Sequence, residues 1–534
     1  MTLATRFPCD DAPRTACEPD ARALSPARKR WVLAACILGS SLAFIDGTVV
    51  NVALPAIQRE LGASVYQAQW VVESYALLLA ALLLVGGALG DRLGRRRMFL
   101  LGVALFAAAS LACALSRTVQ QLISARALQG VGAALLVPGS LALISAHFPE
   151  DERGRAFGTW AGFSGITSAV GPLLGGYLID RLSWAWAFAV NLPLAALVVA
   201  ITWFKVGESR QAGPAVRLDL AGAVLATIGL GALVFFFIEA PARGWRAPEV
   251  LVALGLAGVA LPCFLLVERR HPAPMLPLAL LRNRPFAGAN LITLLLYAGL
   301  GGGLFFLPLN LIQVQGLSAT AAGAALLPFI LIMFLLSRWA GGLVDRHGAR
   351  KPLIAGPLIA AAGFGLLALS GTSSSYWTGF LPGIAVLGVG MGIAVAPLTT
   401  TVMNSVGTDA AGTASGVNNA VSRVAGVLAI AVFGALMATL FEPRLRAALA
   451  TLPQEVADAV WSQRDRLAAI EVPRQASGEA ARQARAAVQE AFVAGHRWIM
   501  VVSAAMAVAA TAVAAAWLDN RRPASAGRDP QATR

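Results

Sequence analysis

The sequence predicts an all-α polytopic membrane protein with about fourteen transmembrane helices. Of its 534 residues, 57% are hydrophobic and only 13% are Asp, Glu, Lys or Arg, whereas soluble domains contain about 25% charged residues. Long charge-free segments recur along the chain, and basic residues are concentrated in alternate loops. A soluble protein with so few charges could not cover its surface with polar groups, so we expect lipid to be the main solvent of this chain.

A membrane-spanning helix needs roughly 20 mainly apolar residues. Two long charge-free runs, Pro285–Ser337 and Pro352–Thr408, each predict two spans, with turns at 313–318 and 371–375. Single spans are predicted in the remaining runs, which are Met98–Ser116, Ala156–Ile179, Trp184–Phe204, Leu220–Ile238, Val250–Val267 and Trp498–Leu518, and at about 31–56, 67–90, 120–146 and 412–440.

The distribution of Lys and Arg predicts the orientation. Sixteen of them lie in the loops that a cytoplasmic N-terminus would place inside, and five lie in the short loops opposite. We expect an integral protein of the inner membrane. The positive-inside rule predicts that both of its termini are cytoplasmic. The net charge of +14 is then an orientation signal, and we expect no nucleic-acid partner. Residues 1–30 have no apolar core, which favours a cytoplasmic tail over a signal peptide.

A motif that occurs twice predicts an internal repeat. The pattern Gly-x-Leu-x-Asp-Arg-x-Gly-x-Arg begins at Gly87 and again at Gly341, 254 residues later. Repeated bundles are a common plan of transporters. The predicted organisation is a cytoplasmic tail over 1–30, a six-helix bundle over 31–204, two inserted helices over 205–285, a second six-helix bundle over 286–518 and a cytoplasmic tail over 519–534.

The segment 441–495 is predicted to lie outside. It contains seven Arg and seven acidic residues, and its Ala-rich stretches Pro453–Ile470 and Glu479–Val493 predict surface helices. A solvated helical hairpin or a flexible loop is the simpler interpretation of this segment. Substrate gating or partner binding is the alternative.

The motifs together resemble the major facilitator superfamily, and in particular its fourteen-helix drug:proton antiporter branch. The repeated loop motif is similar to the loop signature of that superfamily. Three further matches begin at Asp46 in the first helix (Asp-Gly-Thr-Val-Val-Asn-Val-Ala-Leu-Pro), at Arg126 in the fourth (Arg-Ala-Leu-Gln-Gly-Val-Gly) and at Gly162 in the fifth. The resemblance covers about 31–518. It implies a major facilitator fold of two six-helix bundles plus two inserted helices.

Three embedded charges are the predicted proton-coupling residues: Asp46, Arg126 and Glu73. About 15 uncharged residues precede Asp46. A carboxylate at membrane depth is energetically costly, which makes it a candidate functional residue. The resemblance makes Asp46 the partner of Arg126, in a pair that protonation would open. Glu73 lies only one or two turns into its helix. A static pair, or side chains that reach towards water, is the alternative interpretation.

The two loop motifs are predicted to form a conformational latch, in which opposite charges lock the bundles in one state and release them in the other. The retention of loops inside by arginines is the alternative. The predicted latch residues are Asp91, Arg92, Gly94, Arg95, Arg96, Asp345, Arg346, Gly348 and Arg350.

The fifth helix contains the motif that the resemblance associates with antiporters. Its residues are Gly162, Gly171, Pro172, Gly175 and Gly176. Small residues allow helices to approach closely, and a proline loosens a helix. We expect a sealed, bendable contact between the two halves. Tight packing without gating is the alternative.

The sequence contains no phosphate-binding loop, no catalytic triad and no metal-ligand spacing, so we expect neither an enzyme nor a cofactor or metal. The resemblance implies a proton-coupled exporter of amphipathic or cationic organic compounds that works by alternating access. Its partners would be a small organic substrate, protons and membrane lipid, and we expect a monomer, with a periplasmic adaptor left open. A dedicated exporter of one metabolite, a proton symporter, and a non-transporting sensor or scaffold are the alternatives.

Overall fold

A computed structural model of the chain describes residues 24–210, 219–272, 274–406, 411–473, 476 and 478–518. The regular secondary structure of the described residues is helical. Fourteen of the helices are long and apolar enough to cross a membrane. The predicted all-α fold with fourteen spans is therefore confirmed. Both predicted tails lie outside the described residues, except for the last few residues before the first span.

We number the fourteen helices α1 to α14 in chain order. They are Pro26–Leu61, Val65–Leu93, Arg95–Ala114, Val119–His147, Glu152–Arg181, Trp186–Lys205, Leu220–Arg243, Pro248–Arg270, Arg284–Val314, Ala319–Ser337, Arg350–Ala368, Tyr376–Asn404, Thr413–Leu449 and Gly478–Trp517. The end of the molecule at which α1 begins is called the basic face, after its arginine-rich loops. The opposite end, where α1 finishes, is called the cap face.

Local signals explain why α1 and α2 begin and end where they do. The hydroxyl of Ser25 accepts a hydrogen bond from the amide of Arg28, and Gly62 ends α1 with a left-handed φ of 64°. Ser64 then starts α2 with a capping box, in which Gln67 N donates to Ser64 Oγ at 3.2 Å and Ser64 N donates to Gln67 Oε1 at 3.0 Å. These caps satisfy amide groups at the two helix ends where no backbone partner is available.

The two halves repeat one packing scheme. In the first half, α1 packs on α5, and α2 and α3 pack on α4. In the second half, α9 packs on α13, and α10 and α11 pack on α12. The scheme shifts by eight helices, which matches the repeated loop motif after α2 and after α10.

The inserted helices cover one side of the contact between the halves. Helices α7 and α8 pack on each other, and α7 also contacts α2 of the first half and α13 of the second. On the opposite side of the molecule the halves meet directly, through α5 and α10. The two sides of the contact between the halves are therefore not equivalent.

The segment between α13 and α14 forms a folded cap, residues 450–473, rather than a solvated hairpin or a flexible loop. It contains the helix Gln454–Trp461 and the 3-10 turn Arg464–Ala469. Val460 and Leu467 are 0% and 2% exposed, and the 3-10 turn contacts α1, α2, α13 and α14. The expectation of a solvated segment is wrong because the apolar side chains of the cap pack into the core. The predicted surface helix at 479–493 is the beginning of α14.

Candidate functional site

The centre of the first half contains a fully buried ion pair. Arg126 Nη1 donates to Asp46 Oδ2, and both residues are 0% exposed. Arg126 Nε also donates to the backbone carbonyl of Val71 at 3.0 Å. The predicted partners therefore lie in contact, although they are 80 residues apart in the chain. A buried charge is tolerated only when it is paired and hydrogen-bonded, and this arrangement provides both.

Uncharged polar side chains complete the network around the carboxylate. Gln129 Nε2 donates to Asp46 Oδ1 at 2.8 Å and to Ser110 Oγ at 2.9 Å. Asn191 Nδ2 lies 3.3 Å from the same Oδ1 and 3.4 Å from Ser110 Oγ. Arg126 also donates to Gln129 Oε1 at 2.6 Å. The pair and its polar partners thus come from α1, α2, α3, α4 and α6, and all five helices belong to the first half.

Aromatic rings cover the guanidinium. The centre of the Arg126 guanidinium lies 4.2 Å from the ring centroid of Tyr75 and 5.7 Å from that of Phe188. Cation–π contacts of this kind are strongest where water is excluded. Arg126 Nη2 is buried without a hydrogen-bond partner among the described residues. The rings therefore supply part of the stabilisation that the unpaired amino group lacks.

A cavity of about 290 Å³ lies between the two halves. Phe44, Thr48 and Asn51 line it from α1, and the other walls come from α5, α9 and α10. Among the described residues, its lining contains no charged side chain. Asp46 lies on the face of α1 opposite Phe44 and Thr48, so the ion pair is separated from the cavity by the thickness of one helix.

Glu73 lies on α2 at 0% exposure, and neither of its carboxyl oxygens has a hydrogen-bond partner among the described residues. One turn earlier, Gln69 Nε2 donates to the backbone carbonyl of Ile430 in α13, at 2.8 Å. Residues four apart share a face of a helix, so Glu73 lies on the side of α2 that approaches the second half. The structure therefore does not bring Glu73 into the Asp46 network.

The glycines of α5 serve two different contacts. A Cβ atom at Gly171 or at Gly175 would overlap the side chains of Thr48 or Val49, so these glycines allow α5 to approach α1. A Cβ at Gly176 would lie 2.6 Å from Thr320 Cα, so this glycine allows α5 to approach α10 of the other half. Three of the motif glycines are therefore closely packed, Gly171 and Gly175 within the first half and Gly176 across the contact between the halves.

The remaining motif residues of α5 lie in different surroundings. The backbone of Pro172 is so close to Gly323 of α10 that a Cβ on Gly323 would overlap it. A Cβ built on Gly162, in contrast, meets nothing within 4 Å. The prediction that Gly162 belongs to the packed stretch is therefore wrong for this conformation, because the face of α5 that contains Gly162 meets open space at this position.

Polar contacts hold the halves together at the cap face. Asp180, at the end of α5, accepts hydrogen bonds from the amides of Ala319 and Thr320 at 3.1 and 2.8 Å and from the Thr320 hydroxyl at 2.5 Å. A carboxylate at a helix N-terminus is favoured by the helix dipole as well as by the free amides. Gln313 Nε2 also donates to Gln58 Oε1 at 2.9 Å. The cap face is thus closed by contacts between the halves.

The first loop motif is anchored within its own half. Asp91 pairs with Arg95 of the same loop at 2.8 Å. Gly94 has a φ of 114°, which permits the tight turn, and a Cβ there would lie 2.8 Å from the Glu208 carboxyl carbon. Glu208 is 3% exposed and accepts from the amides of Arg96 and Arg97 at 3.0 and 3.2 Å. Glu208 therefore caps α3.

The latch between the bundles stays a prediction. The described ion pair of Asp91 is not with the second half, and Arg92 is exposed. In the second motif, Gly348 has a φ of 74° and Arg350 begins α11. The side chains of Asp345 and Arg346 lie outside the part of the chain that the structure describes.

The sequence reasoning assigned no role to four contributors: Gln129, Asn191, Asp180 and Glu208. Gln129 could have been found from its position three residues after Arg126, which places both on one face of α4. Asn191 could have been suspected because an amide at membrane depth needs a partner. No local signal marks Asp180 or Glu208, since their partners lie far away in the sequence.

Comparison with known proteins agrees with this architecture. Residues 36–430 match the Major Facilitator Superfamily. The chain belongs to the major facilitator superfamily. It is an integral membrane transporter and not an enzyme. Among solved structures, this superfamily member is similar to a bacterial homologue of the human lysosomal transporter Spinster in an inward-facing conformation, with a TM-score of 0.65, 19% identity and coverage of 92% of this chain and 98% of that chain.

Several relatives of this transporter are resistance proteins. It is 38% identical to the multidrug resistance protein Stp of Mycobacterium tuberculosis over 77% of each chain. It is 40% identical to the puromycin resistance protein pur8 of Streptomyces alboniger, over 76% of this chain and 81% of that protein. The tetracenomycin C resistance and export protein of Streptomyces glaucescens is 35% identical over 79% of each chain.

Replacing Gly176 by Leu is expected to destabilise the transporter, because the new side chain would overlap the backbone of α10. Overpacking of this kind costs about 1–3 kcal/mol. Gly162→Leu on the same helix is the matched control, since a side chain there meets open space. We expect the thermal midpoint in detergent to fall by several degrees for Gly176→Leu only. Equal midpoints for the two variants would contradict the close packing of α5 on α10.

Glu208→Ala is expected to destabilise the transporter by about 1 kcal/mol, the usual effect of losing a helix N-cap. The variant leaves the amides of Arg96 and Arg97 without their acceptor. Glu249→Ala is the control, because Glu249 also lies in the first turn of a helix but has a side chain that is 47% exposed. Thermal unfolding of both variants is the measurement, and a larger loss for Glu249→Ala would contradict the capping role of Glu208.

Proposed function

We propose that this transporter exports amphipathic or cationic organic compounds in exchange for protons, by alternating access across the bacterial inner membrane. The observation that carries the proposal is the buried Asp46–Arg126 pair beside an uncharged cavity shared by both halves. The resistance and export names of its relatives support export of organic compounds. The positive-inside rule supports a cytoplasmic basic face with both termini on that side.

The cavity between the halves is the proposed substrate site. Phe44 and Phe329 present aromatic rings to it, and Ser164 and Ser168 present hydroxyl groups. The Oδ1 atom of Asn51, in the same lining, has no hydrogen-bond partner among the described residues, so a substrate donor could bind there. Aromatic faces attract organic cations, and a mainly apolar lining tolerates substrates of different shape.

Protonation of Asp46 is the proposed coupling step. The neutral carboxyl would no longer pair with Arg126, and Gln129 and the ring of Tyr75 would still stabilise the guanidinium. Asp46 is 0% exposed, so its proton cannot exchange with water unless the helices move. Proton exchange would thereby be tied to the conformational change. One proton that crosses a potential of 100 mV supplies about 2.3 kcal/mol.

The conformational change would open the cap face. It has to separate Asp180 from the N-terminus of α10 and Gly176 from Ala319. The residues at this contact are small, so the two helix backbones approach closely and no large side chains interlock. The helices can therefore separate and pack together again. The buried carboxyl of Glu73, on the α2 face towards the second half, is the proposed second proton carrier.

A resistance test with a panel of compounds decides the function. We expect an efflux-deficient bacterium that expresses the chain to become resistant to several amphipathic or cationic compounds, puromycin among them, and to lose this resistance when an uncoupler collapses the proton gradient. Resistance to one compound only would indicate a dedicated exporter, and proton-driven accumulation would indicate a symporter. Resistance that survives the uncoupler would exclude proton antiport.

Asp46→Asn is expected to abolish proton-driven export, because an amide cannot carry a proton or pair with Arg126. The measurement is substrate movement in proteoliposomes with an imposed pH gradient, compared with substrate binding to the detergent-solubilised variant. Glu60→Gln, an exposed acid on the same helix, is the control and should transport normally. An Asp46→Asn protein that still concentrates substrate would exclude Asp46 as the coupling residue.

Ser168→Trp is expected to remove resistance to every compound of the panel, because an indole would occupy most of the cavity of about 290 Å³. The control is Val259→Trp on α8, where the side chain is 64% exposed on the outer surface of the helices. Minimum inhibitory concentrations are measured together with the amount of protein in the membrane. Full resistance with normal amounts of Ser168→Trp would place the substrate site elsewhere.

A further inference from the structure

A second and larger cavity, of about 420 Å³, lies beside the inserted helices. Its walls come from α2, α7, α8, α9 and α13 and from the linker between α8 and α9. Leu84, Phe264, Leu291 and Val421 are typical of the lining, in which Asn290 is the one polar residue among those that the structure describes. The cavity is therefore suited to an apolar ligand and offers almost nothing to a polar one.

The depth of the cavity places it in one leaflet. Ala226 lies six residues from the beginning of α7, Phe264 six residues from the end of α8, and Ala287 three residues from the beginning of α9. With a rise of about 1.5 Å per residue, these side chains lie within roughly 10 Å of the basic face. The residues Met275 and Leu276 of the linker line the cavity from that face.

The rim at the basic face is positively charged. Arg269 and Arg270 end α8, Arg282 precedes α9 and Arg284 begins it; all four are exposed. The nearby acids point inward. Glu268 is 2% exposed and accepts from the amide of Leu276 at 2.9 Å, and Asp219 is 4% exposed and caps α7. The four arginines are thus exposed, whereas the carboxylates of Glu268 and Asp219 are buried and do not neutralise them at the surface.

We propose that this cavity holds an acyl chain of an anionic phospholipid from the leaflet at the basic face, with the headgroup on Arg269, Arg270, Arg282 and Arg284. An apolar cavity at the level of the acyl chains, below a cluster of arginines at the level of the headgroups, matches both parts of such a lipid. Basic pockets between transmembrane helices commonly bind anionic headgroups.

The position of the cavity favours a lipid over a transported compound. Helices α2 and α13, which contact each other, supply its inner wall, and its lining shares no residue with that of the cavity between the halves. The inserted helices form its outer wall and present exposed apolar side chains such as Val252 and Val259, at 68% and 64% exposure, to the surroundings. A membrane lipid can reach this site without entering the transport route, so the proposal does not depend on the proposed function.

The test uses the full chain in detergent micelles with phosphatidylglycerol that carries a diazirine in its acyl chain. After irradiation, labelled peptides are mapped by mass spectrometry. We expect labels on α7, on α9 and on the linker 274–283, and we expect unlabelled phosphatidylglycerol to reduce the labelling at least five-fold more effectively than phosphatidylcholine. Labels spread evenly over the lipid-facing helices would overturn the site.

Variants test the two parts of the proposal, the acyl-chain cavity and the headgroup site, separately. Ala226→Phe fills the cavity and should reduce labelling at least five-fold, whereas Val259→Phe on the outer surface should not. Replacing both Arg282 and Arg284 by Gln should remove the preference for phosphatidylglycerol over phosphatidylcholine. The same change at Arg482 and Arg485, two exposed arginines at the cap face, should leave the preference intact.

Each other outcome overturns a stated part of the proposal. Equal competition by the two lipids with the unaltered chain would remove the headgroup assignment. Competition by puromycin instead of lipid would make the cavity a site for transported compounds. Mapping with the unaltered chain remains decisive if Ala226→Phe fails to fold, because a bound acyl chain has to label the cavity walls. Loss of transport in any variant bears only on the proposed function.

Discussion

The structure of the first half depends on the burial of one ion pair. Two charges in a medium of low dielectric constant are tolerated only if each is paired and its remaining hydrogen-bonding groups are satisfied. Gln129 and Asn191 satisfy the carboxylate of Asp46, and the ring of Tyr75 covers the guanidinium of Arg126, whose Nη2 has no hydrogen-bond partner among the described residues. The pair and these partners belong to α1, α2, α4 and α6, so the pair fixes the relative position of four helices. Removal of either charge would leave the other uncompensated, at a cost of several kcal/mol.

The pair also shows how a charge inside one half can influence the contact between the halves. Helix α1 has Asp46 on one face and Phe44, Thr48 and Asn51 on the other, where they line the shared cavity. Thr48 packs against Gly171 of α5, and α5 in turn meets α10 through Gly176. In the proposed mechanism, a shift of α1 that follows a change of charge at Asp46 would be passed through these helices and close contacts to the cap face. The connection is physical and contiguous, and it requires no direct contact between Asp46 and the second half.

The spans were predictable from the sequence because hydropathy is a local property, and the turns after Val314 and Ala368 were predictable from short polar clusters. The contact between Asp46 and Arg126 was predictable only through the resemblance to a family. The partners Asn191 and Asp180 were not, because they lie 145 and 139 residues from the groups that they contact. The packing of the cap was missed for the same reason: its charge balance suggests a solvated segment, whereas Leu467 and Val460 find their apolar partners on other helices. Gly162 and Gly176 are both glycines of one helix motif, so the sequence does not distinguish them. Only the fold does, because a Cβ at Gly162 would meet open space and one at Gly176 would meet the backbone of α10.

Two aspartates illustrate how exposure decides what a charge can do in this transporter. Asp180 is exposed, so water can replace the three hydrogen bonds that it accepts from Ala319 and Thr320 when the cap face opens. Such an exchange costs about 1 kcal/mol per bond, since water compensates most of the loss. Asp46 is 0% exposed, so water cannot compensate for a broken pair, and only a change of its charge can. In the proposed mechanism, the exposed aspartate would therefore hold a contact that opens and closes reversibly within the few kcal/mol that separate exchanging states. The buried aspartate, in contrast, would make that opening conditional on a proton.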